Sequence, residues 1–179
     1  MLTEQDYCFD CMDDHRPFEN LSSYYDSLKK LRIKLCAFMR SLHYAEKRNW
    51  ESMSTVLLEL TALQRDLLVH NVKEESGLRF VEQEGLKKMV EVLISDQRSI
   101  LQSSDTLLLE GNIVDSAIGK ESLFLNLFIE KSWVFIESLR EYLYKERKVF
   151  LPLIDKNFSN EQKEKWNTLF LKRTRSKNE

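Results

Sequence analysis

His70 and Glu74 stand four residues apart in the segment Leu63 to Glu75, LQRDLLVHNVKEE. On a helix that spacing stacks two side chains on one face, one turn apart. The apolar positions before them, Met53, Val56, Leu60, Leu63 and Leu67, advance in steps of three and four, and the same phase runs on to His70 and Glu74. The helix that buries its leucines therefore buries this pair. An imidazole and a carboxylate inside a core are either part of a metal site or a polar pair that needs partners, because unpaired burial is costly. Tyr142 and Glu146 repeat the i, i+4 arrangement in phase with another apolar stripe, and Gln97 falls in phase with a third. His70, Glu74 and Glu146 are thus candidate metal ligands, with Tyr142 as an unusual phenolate addition. With Gln97 and Tyr142 they also make a candidate buried polar layer whose hydroxyl and amide reach across to the carboxylates. Two carboxylates near one imidazole predict that His70 is protonated.

A second cluster lies near the N-terminus. Cys8-x-x-Cys11, with His15 beyond it, has the spacing of one edge of a zinc or redox site, but a closed tetrahedral site needs a fourth ligand. The alternative is an acidic arm with two incidental thiols. Cys36 lies one step off a helical seam and reads as a small residue at the edge of the core.

Four long helices must position the layer. The first starts at an N-cap, Asn20 or Ser22, carries the stripe Tyr24, Leu28, Leu31, Leu35, Phe38, Leu42, and ends near residues 47–49. The second covers about 50–78, with Gly77 weakening its last turn. The third covers about 84–109 with the stripe Leu86, Val90, Leu93, Gln97, Ile100, Ser104, Leu107, and Gly111-Asn112 is its stop signal. Residues 112–120 read as a connection with a helical turn around 114–118. The fourth covers about 121–155 with the register Phe128, Ser132, Phe135, Leu139, Tyr142, Glu146, Val149, Leu153, and Pro152 predicts a kink or an early stop. Ser159 with Gln162 is a capping-box pattern, so a short last helix follows to about 172 and offers Trp166, Leu169 and Phe170 to the core. The fold class is all-α: an up-down-up-down four-helix bundle over residues 20–173, with an irregular arm at 1–19, a short C-terminal helix, and a basic tail at 174–179. In an antiparallel bundle His70, Glu74, Gln97, Tyr142 and Glu146 fall at one end, where the first half of the first helix joins them.

The 179 residues suit one domain, and the low count of breakers, 4 Gly and 2 Pro, suits helices. A net charge of −2 gives no drive toward nucleic acid or an anionic membrane. The start, MLTEQDY, is acidic and lacks the apolar run of a secretory signal, and the most apolar window, residues 123–136, is too short to span a bilayer. Three cysteines cannot all pair, so a reduced, cytoplasmic chain is the economical expectation.

HNVKEESGLRF, His70 to Phe80, resembles the second-helix signature of the hemerythrin-like, His-His-Glu cation-binding proteins. YLYKERKVFLPLID, Tyr142 to Asp155, resembles their fourth-helix signature, and LISDQRSIL, Leu93 to Leu101, their third. The resemblance covers most of the chain from about residue 20. It implies a four-helix bundle and, in its complete form, a di-iron site with reversible oxygen binding. Tyr142 and Gln97 stand where that family's fourth- and third-helix histidines belong, and the interval 24–34 contains no histidine for the first helix. The matching positions that remain are His70, Glu74 and Glu146. The resemblance therefore implies a bundle that has lost the di-iron site, holds no cofactor, and acts as a regulatory or interaction module on an unidentified protein partner. The alternative is a residual metal-binding protein, with one weakly bound ion or iron, in oxygen or iron sensing or handling. No nucleophile or Gly-rich phosphate loop accompanies the cluster, so an enzyme ranks last.

Overall fold

Phase decides what each helix buries, and in three of the four long helices the phase holds along its whole length. The computed structural model describes residues 19–47, 53–77, 81, 84–116 and 122–171. Among these, every residue except Val81, Phe158 and Ser159 is helical, and there is no strand. A short 3₁₀ turn, Glu19–Leu21, leads into α1 (Ser22–Lys47); α2 (Met53–Gly77) and α3 (Glu84–Ser116) follow. After α4 (Ser122–Lys145) comes a π-helical turn, Glu146–Phe150, then α5 (Leu151–Asn157) and α6 (Asn160–Leu171). The cysteines at 8 and 11, His15 and the basic tail lie outside the described residues. No described helix is long and apolar enough to cross a membrane.

Each of α1 to α4 packs on its neighbour in sequence, α1 also packs on α4, and α6 lies against α1 and α2. Along each neighbouring pair the partners rise in number on one helix as they fall on the other. Between α1 and α2 these are Tyr24 with Glu74, Ser27 with His70 and Lys30 with Asp66. Between α2 and α3 they are Gln97 with Glu74 and Gln64 with Asp105, and between α3 and α4 Asp96 with Lys145 and Glu110 with Lys131. The stripes foreseen for α1, α2 and α3 are buried throughout, including the polar positions His70, Glu74, Gln97 and Ser104.

One expectation about a breaker is corrected. The third helix does not stop at Gly111-Asn112; it runs to Ser116, and Val114 extends its buried stripe. Gly111 is there for close packing, not for a cap. A Cβ at this position would collide with Leu57 of α2 and lie 2.9 Å from a Phe128 ring carbon of α4. Gly77 has a similar role at the end of α2, where a Cβ would lie 2.6 Å from Trp166 Cε3.

The fourth helix keeps its expected register only as far as Glu146. Beyond it Phe150, Leu151 and Ile154 are buried, whereas Val149 is 45% exposed and Leu153 is only partly covered. The π turn is the cause. Pro152 has no N–H to give the carbonyl four residues back, and its ring crowds that carbonyl. The chain widens by one residue instead, the Leu151 N–H bonding the Glu146 carbonyl. The inward face thereby moves one position along the sequence, and Pro152 falls in the first turn of α5, where its missing donor costs nothing. Ser159 and Gln162 then form the reciprocal cap of α6: Ser159 N–H donates to Gln162 Oε1 at 2.9 Å, and Gln162 N–H to Ser159 Oγ at 3.2 Å.

Candidate functional site: a buried acidic layer at one end of the helices

His70 and Glu74 enter from α2, Gln97 from α3, Tyr142 from α4 and Glu146 from the first position of the π turn. All five are buried, and one nitrogen or oxygen from each of His70, Glu74 and Glu146 lies within 4.8 Å of the others. α1 adds two residues to this layer. The Tyr24 hydroxyl donates to Glu74 Oε1 at 2.8 Å and also meets Glu146 Oε2, and Ser27 Oγ lies 3.0 Å from His70 Nδ1.

Donors converge on Glu74. Gln97 Nε2 donates to Glu74 Oε2 and, at 2.9 Å, to the Tyr142 oxygen, while Tyr142 O–H donates to Glu74 Oε2 at 3.1 Å. A phenol has one proton, so Tyr24 cannot donate to both carboxyl groups at once. Its donation to Glu74 leaves the contact with Glu146 to be made by a carboxyl proton. Burial, and the repulsion of Glu146, push Glu74 well above the usual carboxylate range, and burial raises Glu146 as well. The two carboxyls therefore hold a proton between them. Burial and the same carboxylates raise the Tyr24 and Tyr142 phenols well above 10.

His70 is neutral, which corrects the expectation of a protonated ring. Burial, helped by Lys73, pushes it down to about 3. The ring does not bond the carboxylates directly: Nε2 is 3.7 Å from Glu74 Oε2, beyond hydrogen-bond reach. Three buried polar atoms of the layer have no hydrogen-bond partner: His70 Nε2, Glu146 Oε1 and Gln97 Oε1. In the tautomer that donates Nδ1–H to Ser27 Oγ, Nε2 is left with a free lone pair. A polar partner at Nδ1 is also how metal-ligating histidines are oriented.

Aromatic rings from α6 cover the layer. Phe170 lies 4.8 Å from the Tyr24 ring and 5.5 Å from His70 between centroids, and Trp166 lies 5.8 Å from Tyr24. The Ser23 N–H bonds Asn167 Oδ1 at 2.8 Å, and Lys73 Nζ the Phe170 carbonyl at 3.2 Å, which fixes α6 in place. Outside this cover, a surface cleft of about 320 Å³ reaches Ser27, with Asp26, Lys30, Asp66, Lys73 and Phe170 among its walls.

No family model, curated protein or solved structure matches the chain. The geometry alone therefore carries the functional reading. Sequence phase named His70, Glu74, Gln97, Tyr142 and Glu146, and the structure brings these together. Phase did not name Tyr24 and Ser27. Tyr24 fits the apolar stripe of α1, and Ser27 lies one step off that stripe. The available signal was that Tyr24 sits at the end of α1 where an antiparallel neighbour brings Glu74.

Proposed function

We propose that the chain is a hemerythrin-like, up-down-up-down four-helix bundle whose buried layer binds a single transition-metal ion through His70, Glu74 and Glu146. The opposed numbering of partners along α1/α2, α2/α3 and α3/α4 supports the bundle topology. The observation that carries the metal reading is the presence of buried polar atoms without partners among residues that can ligate a metal. His70 Nε2 and Glu146 Oε1 are fully buried and have no hydrogen-bond partner, and one ligand atom from each of His70, Glu74 and Glu146 lies within 4.8 Å of the others. Leaving such atoms unpaired costs about 1–3 kcal/mol each, and a cation between them removes that cost. The fit is to one ion. Two ions need more ligands than one imidazole and two carboxylates supply, and Gln97 and Tyr142 occupy positions that the resemblance assigns to histidines. When bound, the ion supplies a Lewis-acidic centre suited to sensing or handling iron or oxygen. Ser27 orients the imidazole, Gln97 holds Glu74 and Tyr142 together, and Phe170 and Trp166 exclude water.

Protein purified without air and dialysed free of loose metal should retain about one equivalent of metal by elemental analysis, and His70→Ala should lose it. Wild-type protein with no bound iron, manganese or zinc sinks the reading. One observation favours a second reading. Tyr24, Tyr142 and Gln97 supply hydrogen-bond donors to the carboxyls, so the layer can be closed by protons in place of metal. A metal-free result would leave that closed layer as structural, in a bundle acting through its surface as a regulatory or interaction module.

A further inference from the structure

The ligand set so far omits two oxygens that touch it. Tyr24 reaches both carboxyl groups, and Tyr142 reaches Glu74 and the Gln97 amide. Both phenols are fully buried, Tyr24 on one oxygen of the Glu74 carboxylate and Tyr142 on the other. Hydrogen-bonded oxygens and neighbouring ligands on one ion have the same separation: metal–oxygen bonds of about 2.0–2.2 Å put adjacent ligand atoms about 2.8–3.1 Å apart. Tyr24 to Glu74 is 2.8 Å and Tyr142 to Glu74 is 3.1 Å. His70 Nε2, 3.7 Å from Glu74, needs only a small inward shift.

We propose that the ion is ferric iron, held by the phenolate oxygens of Tyr24 and Tyr142 together with Glu74, Glu146 and His70. The proposal rests on the single-metal reading above and adds the identity and charge of the ion. Four of the five donors are oxygens that become anionic, and a small trivalent cation is the partner such hard ligands prefer. A divalent ion better suited to imidazole would find only one nitrogen here. The exchange balances without electron transfer. Fe³⁺ enters; the two phenol protons and the shared carboxyl proton leave to solvent; iron–oxygen bonds replace three O–H bonds, and the net charge of the layer is unchanged. Gln97 touches Glu74 and Tyr142 but gives them N–H groups, so it is a positioning residue.

The test is to load the metal-free full chain with ferric nitrilotriacetate and desalt it. One equivalent of iron should remain, with a visible phenolate-to-iron charge-transfer band and tyrosinate modes in the resonance Raman spectrum. Tyr24→Phe and Tyr142→Phe should each weaken or shift the band, and the double variant should abolish it, with circular dichroism confirming that all three fold. Iron retained without a charge-transfer band, or a band unchanged in both single variants, overturns the phenolate assignment and leaves the single-metal reading standing. Retention of zinc or manganese but not ferric iron also overturns it. Failure to retain any of the three metals overturns both readings.

Discussion

Tyr24 has one proton and two carboxyl neighbours, and the titration of the whole layer follows from that shortage. In the metal-free protein Glu74 and Glu146 hold a proton that the unfolded chain releases near 4.5. Their folded-state values are raised, so their contribution is full below about 4.5 and is lost as pH rises. His70 has the opposite sign. Its folded value is about 3 against 6.5 unfolded, so its contribution is full above 6.5 and is lost as pH falls toward 3. A single proton gives a slope approaching about 1.4 kcal/mol per pH unit within its window. Urea denaturation of metal-free protein at stepped pH should show Glu146→Gln flattening the decline above 4.5 and His70→Gln flattening the loss below 6.5. An unaltered pH profile in both variants refutes the proton assignment. The acidic members of the layer were legible in the sequence because a charged residue in an apolar phase is conspicuous. Tyr24 was not, because a tyrosine fits an apolar stripe equally well as packing or as a ligand. For His70 the periodicity places the ring in the core, but residue types do not give the size of the desolvation that decides its charge.

At the scale of the element, the π turn separates what periodicity can tell from what it cannot. The stripes of α1 to α3 were read correctly because nothing in them alters the number of residues per turn. In the fourth helix Pro152 was recognised as a disturbance, but its effect acts upstream, widening the turn that begins at Glu146. The resulting change of face has a direct test. Phe150→Ala should cost about 3–5 kcal/mol as a large core truncation. Val149→Ala should cost under about 1 kcal/mol, since that side chain is 45% exposed. An unbroken α-helix would reverse the order, so denaturant midpoints of the two variants decide it. Gly111 shows a second limit. A glycine near a helix end reads as a stop, and only the neighbouring Leu57 and Phe128 reveal that it marks a close crossing.

For the whole molecule, α6 is the piece that the packing of α1 to α4 leaves without a purpose. It was legible from its capping box, yet its seat was not, because that seat is made by absence: Gly77 leaves the space that Trp166 fills. Gly77→Ala should cost about 1–3 kcal/mol by overpacking against the indole, offset by up to about 1 kcal/mol of helix propensity. Thermal denaturation should show the loss, and the α6 amides should exchange faster with deuterium. This seat has a kinetic consequence. Phe170 and Trp166 close the layer on the side where Ser27 meets the outer cleft, so an ion bound as proposed above would enter or leave only as fast as α6 lifts. Gly77→Ala should then speed chelator-driven release of bound metal much more than it changes equilibrium affinity, since entry and exit share one door. A protein built this way would hold its ion for a time set by the hinging of one short helix, and so would report the history of metal supply as well as its present level.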